Sequence, residues 1–235
     1  MSNGLLYLLP TTIGETAINK VIPAYVTETI NSLTEFIVED VRTARRYLIK
    51  NGYSKPIDDI TFHLLHKHTP PEEIPEFLNN ISKGISIGIL SESGTPCIAD
   101  PGADIVKIAH KKNINVIPMV GPSSILLSLM ASGFNGQNFA FVGYLPIDKS
   151  DRNKRIKELE QKVYKQNQTQ IFIETPYRNI KLFEALLSNC SNETLLCIAC
   201  NISQSDEFIK TKSIKDWKKQ SPDIKKKNAI FLVYR

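Results

Sequence analysis

The stretch Ile89-Leu-Ser-Glu-Ser-Gly-Thr-Pro-Cys-Ile-Ala-Asp-Pro-Gly102 decides how the chain is read. It opens on the end of an apolar run, Ser86 to Leu90, of the length of a buried strand. A loop dense in Gly, Pro, Ser and carboxylates follows, and Ala103 to Lys111 then reads as a helix. Gly94 and Gly102 let backbone approach a ligand closely, and Pro96 and Pro101 stiffen the loop. Glu92 is suited to accept hydrogen bonds from hydroxyls. Asp100-Pro101 also suits the N-cap and first position of the helix, so a structural loop explains part of the pattern. In α/β sheets, ligands sit beyond the carboxyl ends of strands, which is where this loop falls.

The alternation continues in both directions. Strands are predicted over Leu5 to Leu9, Phe36 to Val38, Ile60 to Leu65, Asn115 to Pro118, Asn138 to Val142, Gln170 to Ile173, Thr194 to Ile202 and Ala229 to Tyr234. Helices are predicted over Thr16 to Thr29, Val41 to Asn51, Pro71 to Ser82, Asp151 to Lys165 and Tyr177 to Ser188. Repeated β-α alternation predicts an α/β protein with mostly parallel sheets and helices on both faces. The natural break lies near Val120-Gly121-Pro122, which predicts two α/β domains over 1–119 and 120–235.

Composition narrows the class. In 235 residues, 42% are hydrophobic and 23% charged, which excludes disordered, collagen-like and coiled-coil chains. Four cysteines are too few and too scattered for a secreted disulfide scaffold. The N-terminus lacks the basic start and cleavage site of a signal peptide, so a cytoplasmic protein is expected. No charged residue occurs from Asn113 to Ile147, yet Pro118, Gly121-Pro122, Gly133 and Gly136 interrupt that stretch. Only Ser123 to Ser132 is left as a helix, and a bilayer needs roughly 20 apolar residues. A buried core segment is expected there, with no membrane partner. The net charge of +5 is uneven: Lys210 to Arg235 carries +7 and the rest of the chain −2. That basic end could meet phosphates, or be a solvated lysine-rich surface.

Several chemistries are excluded by missing motifs. There is no Gly-x-Gly-x-x-Gly after the first strand, no Gly-x-x-x-x-Gly-Lys-Ser/Thr and no Gly-x-Ser-x-Gly. Cys197 and Cys200 stand three apart on a predicted strand, so they point to opposite faces and read as buried thiols. His66 and His68 would share a strand face, but no carboxylate pattern accompanies them and no metal is expected. Two further loops resemble the first in kind. Val120-Gly-Pro-Ser-Ser124 offers amides and hydroxyls at a helix start, and Phe172-Ile-Glu-Thr-Pro-Tyr-Arg178 delivers Glu174 and Arg178 from a strand end.

Together these segments match a family. Leu-Tyr-Leu-Leu-Pro-Thr-Thr-Ile-Gly (6–14), Val-Glu-Asp-Val-Arg-Thr-Ala-Arg (38–45), Ser-Glu-Ser-Gly-Thr-Pro-x-x-Ala-Asp-Pro-Gly (91–102), Gly-Pro-Ser-Ser (121–124), Ala-Ser-Gly (131–133), Gly-Tyr-Leu-Pro (143–146) and Glu-Thr-Pro-Tyr-Arg (174–178) occur in its order. The chain resembles the tetrapyrrole-methylase superfamily, and within it the bacterial 16S ribosomal RNA cytidine 2′-O-methyltransferases. The resemblance implies an S-adenosylmethionine-dependent methyltransferase of two α/β domains, with the cofactor in the cleft between them and usually a homodimer. It implies ribosomal RNA or the small ribosomal subunit as partner.

By position, the resemblance assigns the cofactor to Pro10, Glu92, Ser93, Gly94, Thr95, Ser123, Ser124, Glu174, Asn228 and Ala229. It assigns chemistry to Glu39, Asp40, Arg42 and Arg178, with Glu39 or Asp40 as the base. Departures from the family pattern fall at Glu92-Ser93, where Asp-Ala is usual, at His66-Lys67-His68-Thr69 and at Asn201-Ile202-Ser203-Gln204. Two alternatives stay open at this level: methylation of a tetrapyrrole or other small molecule, and a cofactor-binding member without catalysis.

Overall fold

The computed structural model describes residues 4–66 and 68–235. The chain divides into two compact units, the first ending at Ser123 and the second beginning at Ser124.

The first unit is built on strands β1 (Leu6–Leu9), β2 (Glu35–Val38), β3 (Thr61–Leu64), β4 (Ile87–Leu90) and β5 (Val116–Pro118). They form one sheet in the order β3-β2-β4-β1-β5, and every neighbouring pair is parallel. Both faces are covered, which is why β2 and β4 are buried at every position. Phe36, Val38 and Leu90 pack on one face with the helices α1 (Ile18–Val21), α2 (Ala24–Ser32) and α3 (Val41–Lys50). Ile37, Ile87 and Ile89 pack on the other with α4 (Gly102–Lys111) and a run of 3₁₀ turns, Ile74–Lys83.

The second unit contains α5 (Ser124–Ser132), β6 (Phe139–Tyr144), α6 (Lys149–Gln166), β7 (Thr169–Glu174), α7 (Asn179–Asn189), β8 (Leu195–Cys200), β9 (Phe208–Ser213), α8 (Ile214–Trp217) and β10 (Ala229–Tyr234). Its sheet runs β6-β7-β10-β8-β9. Phe172, Leu196, Ile198 and Phe231 form a core with α6, α7 and Trp217, whose indole nitrogen donates to the Leu196 carbonyl at 2.8 Å.

The α/β class and the parallel sheet stand as expected, but the second sheet is mixed. Only β6–β7 is parallel there, while β7–β10, β10–β8 and β8–β9 are antiparallel. The last strand inserts between β7 and β8 against their direction, and β8 returns through a short hairpin to β9, which a parallel pair could not do.

Other differences have local causes. The helix expected over Thr16 to Thr29 is two, because Pro23 lacks an amide hydrogen and interrupts the ladder. The helix expected over Pro71 to Ser82 is a 3₁₀ run closed by Gly84. Strand β9 was not expected, since Lys210 and Lys212 hide its pattern. The Asn113 to Ile147 stretch is not a buried core segment: Leu126, Met130 and Ile147 are 51%, 78% and 72% exposed. It lacks charge but lies largely at the surface of this chain.

Candidate active site

Parallel strands end on one edge, so the loops after β1, β2, β4 and β5 emerge together. Hydrogen bonds and close packing join them. Thr11 donates its amide to the Gly94 carbonyl at 3.0 Å, linking the β1 and β4 loops. Gly94 has φ +74, and a Cβ there would lie 2.9 Å from Ile13 Cγ2 and 3.0 Å from the Pro122 carbonyl oxygen. A Cβ on Gly121 would overlap the Pro10 ring. Tyr47 of α3 donates to the Pro10 carbonyl at 3.1 Å, and the Val120 amide donates to the Tyr25 hydroxyl at 3.1 Å. Burial pushes the Tyr47 hydroxyl well above its ordinary value, so it remains a donor.

The β4 loop carries strain. Cys97 and Ala99 lie in the left-handed region at φ 66 and 63, unusual for residues with a side chain. Asp100 holds the turn by accepting from the Cys97 amide at 2.9 Å and the Gly102 amide at 2.8 Å. The N-cap of α4 is therefore Pro101, one residue later than expected for Asp100.

Carboxylates gather at this edge. Glu39 and Asp100 line one small crevice with Val38, Leu90 and Gly102. Burial raises the Glu39 carboxyl above its ordinary value, and the charges of Asp100 and Glu92 add to the rise. Burial also raises Glu92, with Asp40 adding to it. Asp40 behaves oppositely. It caps α3, accepting from the Thr43 amide at 2.7 Å, and that bond leads the lowering of its carboxyl. Arg42 lies exposed in the first turn of the same helix. So the two neighbouring acids differ: burial raises the Glu39 carboxyl, and a backbone hydrogen bond lowers that of Asp40.

In the second unit, the Glu174 carboxylate is buried at the end of β7, with its side chain 3% exposed. Arg178, the N-cap of α7, places Nε 2.8 Å and Nη2 2.6 Å from Glu174 Oε1. The Thr175 amide donates to the same oxygen at 2.6 Å. Glu174 is in register with Ala229 at the start of β10, and Asn228, just before it, accepts from the Asn201 amide at 2.9 Å. Antiparallel pairing thus brings Glu174, Arg178, Asn228 and Ala229 to one sheet edge. Ser123 and Ser124 stand at the start of α5.

Within the first unit the structure brings Pro10, Glu39, Asp40, Gly94 and the rest of the 92–95 loop to one edge. Asp100 was expected only as a cap, and its place beside Glu39 depends on a contact between two loops that no local pattern shows. His66 and His68 lie past the end of β3 in a turn, where the His68 amide donates to His66 Nδ1 at 3.1 Å, and Lys67 is outside the described residues. Among the described residues no group of three or more His, Cys, Asp or Glu is arranged to hold a metal ion. Cys197 and Cys200 are buried free thiols, and burial pushes Cys200 up to about 12.

Comparison with known proteins places this geometry in a class. The model aligns with the methyltransferase CobJ at a TM-score of 0.65 and 15% identity, over 99% of this chain and 94% of that one. It aligns with a uroporphyrin-III-C-methyltransferase from Thermus thermophilus at a TM-score of 0.55 and 16% identity, over 98% and 92%. The chain has the tetrapyrrole-methylase fold, and its sequence relatives make it a methyltransferase. In sequence it is similar over nearly its whole length to the ribosomal RNA small subunit methyltransferases I. That of Haemophilus influenzae is 27% identical over 233 residues, 98% of this chain and 78% of the relative. That of Buchnera aphidicola is 28% identical over 237 residues, again 98% and 78%. No family model matches the chain.

Proposed function

We propose that the protein transfers a methyl group from S-adenosylmethionine to a ribose 2′-hydroxyl of small-subunit ribosomal RNA. The observation that carries this reading is Glu39, a carboxylate of raised pKa at the carboxyl edge of a parallel sheet, in a chain similar throughout to enzymes named for that RNA.

The donor set fits the cofactor. The Glu92 carboxylate suits ribose hydroxyls, while the amides and hydroxyls of Ser93, Thr95 and Ser123 suit its carboxylate. From the second unit, Ser124, Glu174, Asn228 and Ala229 are proposed as further contacts, and from the first, Pro10 and Gly94. S-adenosylmethionine supplies an electrophilic methyl group on a sulfonium. Glu39 takes the proton of the attacking hydroxyl, for which its raised pKa makes it a better base than Asp40. Asp40 anchors the start of α3 and so fixes where Glu39 stands. Arg42 is proposed to meet the RNA phosphate. Arg178, already forked onto Glu174, holds that carboxylate in place rather than reaching for substrate.

A homodimer in the cytoplasm completes the reading. Among the described residues no helix is long and apolar enough to cross a membrane. β6 is an edge strand with exposed Phe139 and Tyr144 upon it, and the uncharged stretch also exposes Met130 and Ile147. A second copy could meet such a face without charge repulsion.

Calorimetry with S-adenosylmethionine and S-adenosylhomocysteine, followed by mass spectrometry of small-subunit ribosomal RNA incubated with protein and cofactor, tests the reading. One site per chain and a ribose carrying an added methyl group are expected. Absence of cofactor binding, or methyl transfer only to a tetrapyrrole, would overturn it.

A further inference from the structure

The second unit carries a basic groove that the reaction does not use. It has a volume of about 460 Å³ and is lined by Lys210, Lys212, Trp217, Gln220, Asp223 and Lys227, among others. Its form follows from strand register. Lys210 is paired with Ile198 and Lys212 with Leu196, and paired residues share a sheet face. Ile198 and Leu196 face the α6–α7 core, so both lysines stand on that side of edge strand β9. Residues two apart rise about 7 Å along a strand, so the two stems stand side by side over the groove. Thr211, between them, points the other way and donates to the Ser132 carbonyl at 2.9 Å.

The cations differ in how they are held. Lys227 is balanced by Asp223 at 3.0 Å and Asp206 at 3.8 Å. Lys212 is held by neutral groups: its Nζ donates to Gln220 Oε1 at 2.7 Å and lies 4.9 Å from the centroid of the Trp217 ring. That ring is itself 2% exposed and fixed in the core. Lys212 is therefore ordered in advance with its charge uncompensated, and part of the entropy cost of binding an anion is already met. Lys210 is exposed, and neither lysine forms an ion pair among the described residues. Asp223 is the one acid lining the groove, and it is engaged by Lys227.

We propose that this groove binds the phosphodiester backbone of the RNA substrate, with Lys210 and Lys212 as the contacting cations. This rests on the ribosomal RNA reading above. The contact is independent of base sequence, because ammonium groups on phosphates neutralise charge and release counterions. It lies on a different face of the second unit from α5, and its cations belong to the last 26 residues, which carry +7 in a chain otherwise at −2.

The test is binding of a small-subunit ribosomal RNA transcript across a salt series, alongside methyl transfer to the same transcript. The Lys210→Gln, Lys212→Gln double variant is compared with wild type and with Lys157→Gln, Lys165→Gln, which removes two exposed charges from α6. The groove variant is expected to bind roughly tenfold more weakly, and its salt slope to fall by about one unit per lysine. The α6 variant is expected to match wild type, and all three to keep the same cofactor affinity. If wild type methylates the transcript while the groove variant keeps its affinity and slope, or the α6 variant loses as much, the groove assignment is wrong. If wild type neither binds nor methylates the transcript, the ribosomal RNA reading and the groove both fail.

Discussion

The two units use their sheets differently. In the first, five parallel strands send every carboxyl end to one edge, and the loops after β1, β2, β4 and β5 converge there, with Glu39, Asp40, Glu92 and Asp100 among them. In the second, three of four neighbouring pairs are antiparallel, so strand ends alternate between edges. Only where β7 ends opposite the start of β10 do Glu174, Arg178 and Ala229 meet. The parallel sheet gathers Glu39 and Glu92 at one edge, where burial raises both carboxyls. The mixed sheet carries instead an ion pair with a buried carboxylate and a lysine-lined groove.

The largest effect should come from the acid edge. Glu39→Gln is expected to lower the methyl-transfer rate by about 10²–10⁴-fold with cofactor affinity and melting temperature retained. Wild-type activity at Glu39→Gln would remove the distinction between the units. The pH dependence sharpens the same point. A base works ionised, and Glu39 is raised above its ordinary value of 4.5. The acid limb of the rate profile should therefore lie above that value, and Asp100→Asn, which removes a neighbouring charge, should move it to lower pH.

The next effect belongs to the second unit. Arg178→Met leaves the Glu174 carboxylate buried and unpaired, and is expected to cost about 3 kcal/mol in urea unfolding. An unchanged midpoint would show that the pair does not hold the β7 end. Smaller again is Gly94→Ala, which combines a positive φ with contact against Ile13 and Pro122. It should cost about 1–3 kcal/mol and weaken cofactor binding. Least is Tyr47→Phe, which removes one hydrogen bond to Pro10 at about 1 kcal/mol. A loss of cofactor affinity larger than the loss of stability there would mark Tyr47 as a positioning residue for the β1 loop.

Much of this was legible before any coordinates. The strand–loop–helix grammar of residues 86–111 follows from local apolar runs and turn residues, and such runs bury both faces of a parallel strand. β10 was legible to the residue, because Ala229–Tyr234 is six consecutive apolar or aromatic positions. β9 was not, since lysines on an edge strand can face solvent without breaking the pairing. The exposure of Leu126 and Met130 was likewise hidden, as an uncharged run reads the same inside a core or on a surface.

Sequence alone determined the α/β class, the order of the site loops and the likeness to a methyltransferase family, because each depends on residues close together in the chain. Tertiary structure decided the direction of β10, the opposite shifts of the Glu39 and Asp40 carboxyls, and the meeting of Asp100 with Glu39. Those outcomes depend on which distant groups exclude water or supply a hydrogen bond, and no window along the chain contains both partners.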